Sequence, residues 1–211
     1  MVALKRSIAQ TLPLLEYGVS SVPAPGEFES GDLYVVQPTL RGALVAVVDG
    51  LGHGAEAASA ARLAIATLEA HANEGVIPLI RRCHERLRNT RGTVMSLASL
   101  DKFENTVTWL GVGNIEGMLL HGRWEEHPRV ETIFLRPGVV GYRLPPLQAM
   151  VTSVMPGDLF ILNTDGIRGD FAAQFSPDDQ PWQIAEYISS NFRKGDDDGL
   201  VLVLRYLGSG E

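Results

Sequence analysis

The sequence is short of cysteine, positive charge and long apolar runs, and each shortage removes a class of protein. Its single cysteine, Cys83, precludes an internal disulfide and fits a reducing compartment. Cys83 sits in a helical, partly apolar stretch, which suits packing rather than reactivity. No apolar run approaches the roughly 18 residues of a membrane-spanning helix. Nor does an apolar core follow Lys5 and Arg6, so the opening MVALKRSIAQT does not read as a secretory leader. The 18 Lys and Arg are outnumbered by 25 Asp and Glu, for a formal net charge of −7. Nucleic-acid partners favour basic faces, so none is expected. These shortages together predict a cytoplasmic protein with no membrane and no nucleic-acid partner. Also missing are a His cluster or Cys pair of the kind that holds zinc, and any Ser-His-Asp or Cys-based hydrolase signature.

What is present is a globular composition: 211 residues, 45% hydrophobic and 20% charged. That length predicts one domain, residues 1–211. Two strands are expected in 1–22, around Pro13. A Pro- and Gly-rich loop follows to Ser30, then a strand from Asp32 to Pro38 and another over Ala43–Val48. Helices are predicted over Ala55–Asn73, ended by Gly75, and over Ile77–Asn89. The arginines of the second helix, Arg81, Arg82, Arg86 and Arg88, read as a solvated face. Strands follow over Gly92–Leu100, Thr106–Val112 and Ile115–His121, with Gly113-Asn114 carrying a hairpin signal. Val130–Leu135 reads as a strand and Arg136–Pro146 as an irregular loop. Strands over Met150–Val154 and Asp158–Asn163, a helix over Trp182–Phe192 and a strand over Leu200–Leu207 complete the chain. Strands, two helices, strands, a helix and a strand predict an α+β layered fold, not alternating βαβ.

The chemistry gathers where aspartates border apolar strands. Leu44–Val48 ends in Asp49, followed by Gly50, Gly52 and Gly54. Asp32 opens the preceding strand, so an antiparallel pairing would bring Asp32 and Asp49 to one end of a sheet. Asp165 follows LFILNT, where a strand delivers it, and Asp196-Asp197-Asp198 precedes GLVLVLRY. Taken singly, each aspartate fits a turn or a cap. Gathered together, carboxylates repel one another, and a divalent cation removes that cost. Aspartate and backbone oxygens select hard ions such as Mg²⁺ or Mn²⁺. Two such ions can deprotonate a bound water and clamp a phosphoryl group without a protein nucleophile.

Three motifs carry a resemblance: DGLGHG at Asp49–Gly54, TDGI at Thr164–Ile167 and DDGLVLVLR at Asp197–Arg205. In this order they resemble the metal-dependent PPM (type 2C) serine/threonine protein phosphatases, most of all their SpoIIE-like bacterial branch. The resemblance implies an αββα sandwich, two antiparallel sheets flanked by helices, without a large flap subdomain. It implies a centre of two Mn²⁺ or Mg²⁺ ions. Asp49 would bridge the ions and Gly50 would offer its carbonyl. Asp165 and Asp197 would complete the second metal, and Asp32 would act through water. Asp49, Asp165 and Asp197 would thereby carry catalysis, while the alignment of the following strand disfavours Asp196 and Asp198 as ligands.

The loop RPGVVGYRLPP ahead of PGDLFILNTDGI is similar to free-standing stressosome phosphatases of this branch, which carry no sensor domain. That similarity implies phosphorylated STAS-domain stressosome proteins, of the RsbR and RsbS type, as partners, and a monomer. Two other readings use the same fold: a catalytically weak docking module, and a phosphatase of an anti-sigma-factor antagonist. Two departures stand out. Gly199-Leu200 replaces the Ala-Thr common in relatives. The phosphate-binding arginine of eukaryotic members also has no clear equivalent, leaving Arg136, Arg143 and Arg168 as candidates. His53 reads either as a structural imidazole in a turn or as a group that donates a proton or orients a water.

Overall fold

A computed structural model of the chain describes residues 6–122, 129–171 and 174–208. It contains two six-stranded sheets, whose elements follow in chain order. Strands β1 (Arg6–Leu12), β2 (Leu15–Val22), β3 (Asp32–Pro38) and β4 (Gly42–Gly50) precede helices α1 (Ala55–Ala70) and α2 (Val76–Leu87). Then come β5 (Thr93–Asp101), β6 (Thr106–Val112), β7 (Glu116–Leu120), β8 (Val130–Thr132), β9 (Leu135–Arg136), β10 (Met150–Ser153) and β11 (Leu159–Asn163). Helix α3 (Pro181–Phe192) and strand β12 (Gly199–Tyr206) close the chain. One sheet runs β1-β2-β12-β11-β7-β8, and the other β10-β6-β5-β4-β3, with β9 alongside β6.

The layering follows from strand alternation. In β4, Ala43, Val45 and Val47 pack into the core between the sheets. Their neighbours Leu44, Ala46 and Val48 pack beneath α1 and α2 with Ala61, Ala64, Leu79 and Cys83. In β12, Leu200, Leu202 and Leu204 face the inter-sheet core, while Val201 and Val203 lie under α3 with Ile184 and Ile188. A strand covered on both faces must be apolar at every position, which is why these two read as unbroken runs. The result is the expected αββα sandwich. Across the middle, Trp109 of β6 meets Phe160 of β11 with ring centroids 5.1 Å apart. Cys83 is fully buried, and burial pushes its thiol up to about 12, so it packs and does not react. Among the described residues, no element stands apart from these layers as a flap. No helix among them is long and apolar enough to cross a membrane.

Several expectations are corrected. Gly113-Asn114 closes no hairpin, because β6 and β7 belong to different sheets and the turn carries the chain from one to the other. Gly113 does take a positive φ of 106°, but the position also excludes a side chain: a Cβ there would stand 2.3 Å from Val94. The hairpin between β5 and β6 turns instead through Asn105, at φ 49°. Helix α1 stops at Ala70, and Gly75 is the N-cap of α2 rather than the end of α1. The expected strand Val130–Leu135 divides, β8 joining one sheet and β9 running parallel to β6 in the other. The loop after it is partly laddered, through Thr93–Val140 and Val139–Arg143. Residues 1–5 of the first expected strand lie outside the described residues.

Candidate metal centre

The register of β3 and β4 places Asp32 directly opposite Asp49. Alternation then decides which way both point. Asp49 continues the series 43, 45, 47, and Asp32 the series 36, 34, so both lie on the face turned toward the second sheet. The same count puts Thr164 after Phe160 and Leu162, and Asp198 before Leu200, on the facing side. The contacts agree. Thr164 Oγ1 donates to Asp32 Oδ2 at 2.7 Å across the gap. That hydroxyl also accepts from the Leu200 N–H at 2.9 Å, so its one proton is committed to Asp32.

Asp198 serves a different purpose from its neighbour. It is 4% exposed, with Oδ1 accepting from Ala24 N–H at 2.7 Å and Oδ2 from Gly31 N–H at 2.8 Å. It thus fastens the 23–31 loop to the start of β12. Asp197 is exposed, and its Oδ1 accepts from the Asp198 N–H at 2.8 Å. Asp165 is half-buried and takes the side-chain amide of Asn114 on Oδ2 at 2.7 Å.

Close approach explains the glycines of the motifs. A Cβ on Gly166 would stand 1.8 Å from the Asp198 carbonyl oxygen. One on Gly50 would stand 2.1 Å from the Ala57 carbonyl, where α1 begins. One on Gly31 would lie 3.2 Å from Asp198 Oδ2 and 3.4 Å from the Gly50 carbonyl. Gly52 and Gly54 take positive φ, 87° and 76°, which turns the chain from β4 into α1.

The carboxylates feel one another strongly. Burial raises Asp32 well above the usual carboxylate range, and the charges of Asp49, Asp198 and Asp165 raise it further. Burial, with Asp165, Asp197 and Asp198, pushes Asp49 up to about 7. Among the described residues no cationic side chain pairs with either group. A buried and a half-buried carboxylate in register without a positive partner are costly, and a divalent cation between the sheets would remove that cost. The donor set, aspartate and carbonyl oxygen, fits a hard ion. Among the described residues no three His, Cys, Asp or Glu side chains stand grouped to hold one metal. Mg²⁺ needs no such group, since it keeps several waters and takes one or two carboxylates.

The remaining candidates are placed as follows. His53 is mostly exposed, and its Nδ1 lies 2.8 Å from Glu27 Oε1. Arg136 stacks over Phe134 and donates to Gln148 Oε1 at 2.8 Å. Arg168 lies over Phe192 and donates to the Asn191 carbonyl, at the far end of α3. Arg143 is exposed, its backbone paired with Val139. The structure brings none of these three arginines into contact with the aspartates. Two other arginines border the motifs through backbone. Arg91 Nη1 would stand 2.9 Å from a Cβ on Gly52, and Arg193 donates to the carbonyls of Asp197 and Pro23. Sequence reasoning also missed Asn114 and Thr164. Thr164 lay within a recognised motif, whereas Asn114 looked like turn chemistry.

Comparison with known proteins shows the family and the fold. The family model described as stage II sporulation protein E (SpoIIE) matches residues 41–206. The phosphoserine phosphatase RsbX of Bacillus subtilis (strain 168) is 26% identical over 145 residues, 68% of this chain and 70% of its own length. A chain from a structure of the bacterial stressosome, described as a modular system adapted to control secondary messenger signaling, is 32% identical. It superposes with a TM-score of 0.80 over 90% of this chain and 99% of its own. A crystal structure of RsbX in complex with magnesium gives a TM-score of 0.84 at 19% identity, over 95% of this chain and 100% of that one. The family match over most of its length, together with its sandwich, shows that the chain belongs to the SpoIIE family, within the metal-dependent PPM (type 2C) protein phosphatases.

Proposed function

We propose that residues 1–211 form one phosphatase domain that hydrolyses phosphoserine and phosphothreonine on STAS-domain proteins of a stressosome. The observation that carries this reading is the Asp32–Asp49 pair, in register with Asp32 buried and Asp49 half-buried, and with no cationic side chain paired to either among the described residues. Similarity to RsbX and to a stressosome chain supports the partner class. The magnesium complex of RsbX supports the metal.

In this reading Asp49, the Gly50 carbonyl, Asp165 and Asp197 hold two Mn²⁺ or Mg²⁺ ions, with Asp32 acting through water. Bound there, the ions supply a water of lowered pKa and neutralise charge on the phosphoryl oxygens. The chain's own groups do the rest. Asp49 and Asp165 come from different sheets, so the site spans the seam between them. Thr164 keeps Asp32 an acceptor, and Asp198 holds the 23–31 loop against the centre. The short contact of Gly50 with Ala57 sets the loop against α1. The protein acts as a cytoplasmic monomer on a phosphorylated partner surface.

Phosphate release from phosphorylated STAS-domain proteins of the RsbR and RsbS type, with and without Mn²⁺, tests the proposal. Release is expected only with the metal. Asp49→Asn should reduce it by at least the ~100-fold seen on losing outer-shell support of a metal ligand, and retained activity in that variant would sink the mechanism. An anti-sigma-factor antagonist, phosphorylated on serine, is the comparison substrate. The docking-module reading draws on the lack of any three-ligand group among the described residues. Calorimetry decides it, because a docking module would take up no divalent cation at millimolar concentration.

A further inference from the structure

We propose that Asn114 is a positioning residue that fixes how Asp165 meets a divalent cation, an inference that rests on the metal-dependent reading above. The Asn114 side-chain amide donates to Asp165 Oδ2 at 2.7 Å. A carboxylate only accepts, so the amide must present its N–H₂ end, and one oxygen of Asp165 is thereby held. The other oxygen is left for an ion. Asp165 stands at the end of β11 with Gly166 behind it, and without this bond its carboxylate is free to turn.

The mount that carries Asn114 is rigid on three sides. Gly113 N–H donates to the Arg136 carbonyl at 2.9 Å. The buried Ser96 hydroxyl donates to the Ile115 carbonyl at 2.7 Å, and Ile115 is fully buried. Val94 fills the space where a side chain at Gly113 would go. Asn114 therefore sits on the crossing between the two sheets with little freedom, and its amide is presented to Asp165 rather than found by chance. The residue type matters as well. An acid in this place would set two like charges within hydrogen-bond distance, whereas the neutral amide turns the same contact into support for the ionised ligand. Polar groups that orient metal ligands in this way change metal affinity by 10–100-fold when lost.

The test is Mn²⁺ titration calorimetry on the full chain, with the metal-free melting temperature measured beside it. Asn114 has no positive φ, so the backbone tolerates alanine there. Asn114→Ala should weaken Mn²⁺ binding by about 10–100-fold, leave the metal-free melting temperature close to native, and recover phosphate release at saturating Mn²⁺. Asn114→Ser, a turn residue too short to span the contact, should do the same and serves if the alanine variant misfolds. Native affinity in both variants, with affinity lost in Asp165→Asn, would overturn the role of Asn114 alone. Native affinity in all three would overturn it together with the metal-site reading. A lowered melting temperature with unchanged affinity would make Asn114 a structural turn residue and also overturn it.

Discussion

At the scale of single residues, Asp32 and Asp49 make stability depend on pH in an unusual direction. Carboxylates are usually stabilised in their charged form by folding, but these two are destabilised in it. Between the unfolded value near 4 and the folded value of about 7 for Asp49, the folded protein binds more protons than the unfolded one. The contribution of Asp49 to the stability of the metal-free protein is therefore fully present below about 4 and is lost as pH rises through about 7. Thermal melts in chelator should give a higher melting temperature at pH 5.5 than at pH 8, and Asp49→Asn should flatten the difference. Mn²⁺ should reverse the trend, because its ligands must be deprotonated and binding stabilises only the folded form. Thr164→Val removes the hydroxyl that donates to Asp32 and should cost about 1–3 kcal/mol in urea unfolding at neutral pH.

At the scale of elements, contact of backbone with backbone decides more than side-chain packing. Helix α3 lies so close to β2 that a Cβ on Gly18 would stand 2.2 Å from the Trp182 Cα. Gly18→Ala should lift the helix and cost about 1–3 kcal/mol, read as a lowered denaturation midpoint. Elements of this kind were partly legible in the sequence. The bounds of β6 follow directly from its alternation, and the apolar runs of β4 and β12 announce burial on both faces. The short connection between β3 and β4 made the meeting of Asp32 and Asp49 foreseeable. What alternation could not reveal is sheet membership. Gly113-Asn114 has the composition of a hairpin, yet the chain leaves one sheet for the other there, and only the burial of Ile115 and the clash at Val94 show why. Long-range partners were equally hidden: Thr164 and Asp32 lie 132 residues apart, with no local pattern linking them.

On the scale of the whole molecule, three apolar layers share the work, and the middle one joins the sheets. Trp109 is fully buried there, but its indole N–H has no partner among the described residues. Trp109→Ala should cost about 3–5 kcal/mol by opening a cavity. Trp109→Phe should cost far less, because it keeps the contact with Phe160 and removes an unpaired donor. Denaturant midpoints of the two variants check this.

The place of β12 has a consequence for the order of folding. It pairs with β2 on one side and β11 on the other, in the middle of its sheet. Until residues 199–206 pair, the β1–β2 hairpin has no sheet to join and Asp198 cannot fasten the 23–31 loop. Strands far apart in sequence must therefore meet before this sheet exists at all, and closing such long loops makes its assembly a slow and late step.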